Sequence, residues 1–271
     1  MTAKPAWVQE VETRTRGLPV LLVEGPSDVR LFEHFFDRHA PGWRARFVIL
    51  GAGSKEHVRS GVAVHHPEWR GIIDTDEWSP ADVQAAVGDG GRLRALPRFC
   101  IESYTCDPDE LWPLIPELRR EAVATVEVLR QPIVDNLPAW VAHGALWRVL
   151  RRLYPFRQFP HQLEAQPITN EGEIRRILTD WHNQLAPEAV LAQYHLELEQ
   201  ARTLSPVEQL HCYVHGKMFY HQVVVQVLDH LFAGKGADDW VGRFLNANLP
   251  PPEDLVELLD WVISEFSPAA A

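Results

Sequence analysis

Three cysteines in 271 residues are too few, and odd in number, to make a disulfide framework. Cys100, Cys106 and Cys212 also miss the paired spacing of a structural zinc site, so reduced thiols are the expectation. No apolar run approaches the roughly 18 residues needed to cross a bilayer. The opening stretch "MTAKPAWVQEVETRTR" holds no signal-peptide core either. Together these absences predict a chain with no membrane association that works in the cytoplasm. Positive charge is also short. The net charge of −11 argues against a protein that coats nucleic acid indiscriminately. The deficit is uneven: residues 1–116 sum to −4, 117–157 to +3 and 158–271 to −10. A polyanion would therefore meet the middle segment or the first part of the chain. "GAGSK" at 51–55 is too short for a phosphate-binding P-loop, so ATP binding there is not expected. No internal repeat or low-complexity tract is present.

What the chain does have is an ordinary globular balance, 46% hydrophobic and 23% charged, over a length that suits one large domain or two small ones. From Pro19 to Asp109, short apolar runs alternate with helical stretches. Strands are predicted at Val20–Val23, Arg46–Leu50, Gly71–Ile73 and Arg98–Ile101, and helices near Ser27–Arg38, Ser54–Val64 and Pro80–Val87. Ser27 is the expected N-cap of the first of these helices. Strands that are apolar throughout, separated by helices, imply a parallel sheet covered on both faces. Beyond Asp109 the pattern becomes helical with proline breaks, and resumes at Glu171–Leu185, Pro187–Ala201, Gly216–Phe232 and Pro252–Phe266. The predicted architecture is an N-terminal helix (1–17), a Rossmann-like α/β domain with a parallel sheet (18–116) and an all-helical C-terminal region (117–271).

In parallel sheets, ligands sit at the carboxyl ends of the strands. "LPVLLVEGPSDV" ends its strand in Glu24, with Asp28 one turn into the next helix. "GIIDTDEW" ends in Asp74 and Asp76, and "PRFCIESY" carries Glu102. A strand's period of two predicts that Asp74 and Asp76 point to the same side. Two like charges about 4 Å apart repel by about 4 kcal/mol at an effective dielectric near 20. Such a cluster needs a shared proton or a cation, and hard oxygen donors suit Mg²⁺ or Mn²⁺.

These motifs are similar to those of the Toprim domain, which carries a Glu at a strand end in a V-E-G-x-x-D/E setting and a later D-x-D. The resemblance covers about residues 18–110. It is closest to the OLD-like nuclease branch, because the D-x-D here lacks a downstream glycine. "FVILGAGSKEHV", "PRFCIESYTCDPDELW" and the late "HGKMF" also look like stretches of Toprim-type effectors that work beside ATPases in anti-phage defence. The resemblance implies a nuclease acting on DNA or RNA, tRNA included, with Mg²⁺ or Mn²⁺ as cofactor. It further implies an ABC-type or AAA ATPase partner and leaves a homodimer open. Glu24 would be a metal ligand or general acid/base, Asp74 and Asp76 would hold the divalent ion, Asp28 a second ion, and Glu102 would complete the shell. Lys55 and Lys217 would neutralise phosphate charge at the catalytic centre.

Blander readings stand beside these. A lone D-x-D also occurs in phosphatases and glycosyltransferases, although Trp78 stands where the phosphatase pattern wants Thr or Val. Asp28 is equally an early-helix charge favoured by the dipole, and Glu102 equally a residue leading into the helix start at Asp107-Pro108. His211 and His215 have i, i+4 spacing without the glutamate that zinc hydrolases place after the first His. Arg148, Arg151 and Arg152 read either as a solvated helix face or as a basic ledge for a nucleic-acid backbone. The rival functions are a non-catalytic Toprim-like module that docks on an ATPase, and a D-x-D phosphatase or phosphotransferase.

Overall fold

The computed structural model describes residues 4–15, 17–88, 91–153 and 171–267. The end of the basic middle segment, residues 154–157, lies outside them. Helices and strands alternate through α1 (Ala6–Arg14), β1 (Val20–Val23), α2 (Pro26–His39), β2 (Val48–Gly51), α3 (Lys55–Ser60), β3 (Arg70–Ile73), α4 (Pro80–Val87) and β4 (Leu93–Ala95). The remaining elements among the described residues are helical: α5 (Pro108–Leu111), α6 (Glu117–Val123), α7 (Glu127–Leu153), then Glu171–Gln184, Pro187–Arg202, Pro206–Tyr213, Gly216–Phe219, Val225–Phe232, Ala237–Asn246 and Glu253–Glu265. A π-helical turn at Tyr220–Val224 joins two of these, so the predicted Gly216–Phe232 run is unbroken. The predicted α/β fold with a helical C-terminal region is what the chain adopts.

The four strands are all parallel, in the order β2-β1-β3-β4. Alternation along β1 divides its side chains between two faces. Leu21 and Val23 join Phe32, Phe35 and Phe36 of α2 and the helical region as far as Phe266 in one continuous apolar cluster. Val20 and Leu22 face the other way, onto Val8 and Val11 of α1, Val58 of α3, and Val62 and Trp69. Burial on both faces explains why β1 is apolar at every position. The stripe Asp28, Leu31, Phe32, Phe35, Phe36 on α2 follows the i, i+3, i+4 rule, and it is the buried face of that helix.

Three predictions of local structure need correction. The fourth strand is Leu93–Ala95, not Arg98–Ile101. Pro97 has no N–H to extend the ladder, and beyond it the Phe99 N–H turns to the carbonyl of His211 (2.7 Å). The apolar "FCI" is buried by packing under the helices, not in the sheet. Second, the N-cap of α2 is Gly25, with Pro26 at the first helical position and Asp28 reaching back to the Gly25 N–H (2.9 Å). Third, α7 runs through Pro132 and Pro138 without a break. Its buried residues Leu129, Ile133, Leu137, Val141 and Ala145 form a stripe of spacing four, whose packing outweighs the lost helix hydrogen bonds.

Candidate metal centre

The chain leaves β1 toward β2 on one side, and β3 toward β4 on the other, so the crevice between β1 and β3 is the topological switch point where ligands gather in such sheets. Glu24 follows β1 and Asp74 follows β3. The two are joined directly: the Asp74 backbone N–H donates to Glu24 Oε1 at 2.9 Å. The turn after β2 closes in as well, with Ala52 and Gly53 N–H groups donating to the carbonyls of Val23 and Glu24, each at 2.8 Å. Gly53 has φ of 91°, a left-handed conformation that glycine adopts without steric cost.

Asp74 is the centre of the constellation. Its Oδ1 is sealed from solvent and has no hydrogen-bond partner. Burial pushes its carboxyl well above the usual range, and the negative charges of Asp28, Asp76, Glu24 and Glu102 push it further. Glu24 is raised to about 7, chiefly by burial, against the opposing pull of Lys55 and the Asp74 N–H. Asp28 is raised to about 6, again by burial first and then by Glu102. The acids therefore oppose one another's ionisation, as a site built to receive a proton or a cation would have them do.

Asp76 remains within electrostatic reach of Asp74, Glu24 and Asp28, but the predicted strand period is not what brings it there. β3 ends at Ile73, and Asp76 sits in a tight turn with φ of 46°, so the strand's period of two no longer applies. The Asp76 N–H donates to the carbonyl of Phe99 (2.8 Å), and its carboxylate turns to the Lys55 ammonium at 2.6 Å. Lys55 is itself buried and lies over the Trp78 indole, 4.3 Å from the ring centre. Glu102 is not at a strand end but on a 3₁₀ turn, Ile101–Thr105, where its Oε1 accepts from the Ser27 hydroxyl at 2.9 Å. Ser27 is thus a link between α2 and the Glu102 turn rather than a cap; the sequence carried no signal for it.

Lys217 is the second residue of the helix Gly216–Phe219, which is pressed against the Glu102 turn. A Cβ on Gly216 would meet the Ser103 nitrogen at 2.5 Å. The Lys217 side chain is exposed and has no ion-pair partner among the described residues. His211 and His215 are not on one helical face: the first lies in Pro206–Tyr213, 3.3 Å from Asp107, and the second precedes the next helix. Of the three arginines, Arg148 donates to the carbonyl of Cys212 (2.6 Å) and stacks over Tyr213 (3.8 Å to the ring centre), and Arg152 pairs with the buried Glu197 (2.5 Å). Both are engaged within the helical region. Arg151 instead points back to the acidic rim, 3.6 Å from Glu77.

No family model, curated protein or solved structure matches this chain. Among the described residues no group of three or more His, Cys, Asp or Glu stands as a ready-made ion cage. Asp28, Asp76 and Glu102 instead bond to Gly25, Lys55 and Ser27. The donor chemistry nevertheless fits a hard divalent cation: oxygen ligands only, one of them a buried carboxylate oxygen without a partner, in a field where several acids oppose each other's charge. No helix among the described residues is long and apolar enough to cross a membrane.

Proposed function

We propose that this chain is a Toprim-type, OLD-like nuclease that hydrolyses phosphodiester bonds in DNA or RNA with Mg²⁺ or Mn²⁺. The observation that supports this reading is the buried, unpartnered Oδ1 of Asp74, whose backbone N–H bonds Glu24 at the β1/β3 switch point, with Asp28 and Glu102 in its field. Asp74, Glu24 and Asp28 would hold the ion, and Glu102 would be drawn in from its Ser27 bond. When bound, the ion would supply Lewis acidity and a water of lowered pKa. Glu24, raised to about 7 by burial, would be held ionised once it ligates the ion. Lys55 is held between Asp76 and Trp78 and would present a fixed positive charge to the phosphoryl oxygens.

An effector role beside a partner ATPase in anti-phage defence, and a homodimeric form, belong to the same reading and rest on the motif resemblance. The test is cleavage of DNA, RNA and tRNA in Mg²⁺ or Mn²⁺ by wild type, Glu24→Ala and Asp74→Ala. Activity should vanish in both variants, and activity equal to wild type in either removes the site.

A second reading is favoured by the internal bonds of Asp28, Asp76 and Glu102: a non-catalytic module in which these acids serve the fold. Calorimetric titration with Mn²⁺ separates the two, since a scaffold gives no binding heat that Asp74→Asn abolishes.

A further inference from the structure

Trp78 follows the D-x-D turn, and three cations from two separate elements converge on its ring. Lys55 Nζ lies 4.3 Å from the ring centre, Arg59 Cζ 5.9 Å and Arg151 Cζ 6.0 Å. Lys55 and Arg59 come from α3 on the α/β side, whereas Arg151 reaches across from the last turn of α7. Trp78 is only 8% exposed, so little of its surface is open for stacking a base. It instead orders the cations around itself through the negative face of the indole. Two of the three are tethered to acids of the same turn, Lys55 to Asp76 (2.6 Å) and Arg151 to Glu77 (3.6 Å). Arg59 is exposed and has no carboxylate partner among the described residues. In a chain of net charge −11, three cations are gathered beside the acidic rim.

We propose that Arg59 and Arg151, ordered around Trp78, form the subsite that binds the phosphate backbone of a nucleic-acid strand next to the carboxylate centre. The proposal rests on the nuclease reading and adds where the strand lies: across the seam between α3 and the end of α7. It also divides the arginine ledge read from the sequence. Arg151 belongs to the subsite, Arg148 and Arg152 serve the fold, and Arg59 is the member that the sequence did not single out. Charges of this kind position a backbone without reading its sequence, so the subsite accepts any base order.

The test is binding of a short fluorescent single-stranded oligonucleotide to the full chain, over a range of salt concentrations. It is run in EDTA at pH 6, where the neighbouring acids carry less charge. Arg59→Ala and Arg151→Ala should each weaken binding roughly five- to tenfold at low salt and lower the slope of log K against log salt by about one. Arg59→Lys should keep the slope. Arg14→Ala, near Leu18 at the opposite end of β1, should change neither quantity. Wild type that does not bind, or Arg59 and Arg151 variants with wild-type affinity and slope, overturns the subsite. Because cleavage is not read, the two proposals fail separately. Predicted slopes without Mg²⁺-dependent cleavage uphold the subsite and remove the nuclease, whereas normal cleavage with unchanged slopes removes the subsite alone.

Discussion

Replacing Glu24 by glutamine should make the protein more stable, and the gain should depend on pH. In the folded chain the Glu24 carboxyl titrates at about 7, against 4.5 for the unperturbed group. Between those values the native state keeps a proton that the unfolded state has lost. Stability therefore falls as pH rises from about 4.5 to about 7 and stays reduced above that window. At about 1.4 kcal/mol per unit, ionised Glu24 costs the fold about 3 kcal/mol at pH 8. Glutamine retains the size and the carbonyl oxygen that accepts the Asp74 N–H, but it never ionises. Glu24→Gln should thus be about 3 kcal/mol more stable than wild type at pH 8 and within about 0.5 kcal/mol of it at pH 4.5. For a chain of this size that is a rise in Tm of about 6–12 °C. Urea and thermal unfolding in EDTA at the two pH values measure both quantities. A variant that is no more stable at pH 8, or equally favoured at both pH values, would refute the argument that burial and neighbouring charge strain this acid.

The same physics predicts that Mg²⁺ raises the Tm of wild type at pH 8, by about 2.7 kcal/mol of stabilisation at a hundredfold excess over Kd. The rise should be much smaller at pH 5, where protons occupy Glu24 and Asp28, and differential scanning fluorimetry reads the difference. Arg98 is buried, bonded by both Glu110 and Asp254, and lies 4.3 Å from the Tyr104 ring centre. Arg98→Met should cost about 3 kcal/mol in urea unfolding, because it leaves two acids facing each other without their cation. Gly216→Ala should lower metal-dependent cleavage more than it lowers Tm, since its Cβ would press on Ser103 and displace the turn that carries Glu102; a loss of stability without loss of rate counts against a role for that turn.

Where the periodicity was strong, the chain could be read directly. β1 and α4 occupy the predicted residues to the letter, and the parallel α/β order follows from apolar strands spaced by helices. These features depend on contacts that repeat locally, so a window of ten residues contains their cause. Glu24 and Asp74 were legible for the same reason: each is the first acid after a buried run, at the strand ends that such sheets expose. The misreadings share the opposite character. "FCI" is apolar because helices cover it, and a buried segment looks alike whether a strand or a helix does the burying. Pro132 and Pro138 lie inside α7 because its apolar stripe is anchored along the whole core, which no local propensity reveals.

The acids were therefore visible along the chain, but their partners were not. Burial and backbone turns, not spacing, send Asp76 to Lys55 while Asp74 stays against Glu24. Ser27 meets Glu102 across 75 positions, and Arg151 meets Glu77 across the seam between the two halves. A carboxylate's identity is local chemistry and can be read letter by letter. Its ionisation is a sum over everything that folding brings within reach, and that sum exists only once the chain has closed around Asp74.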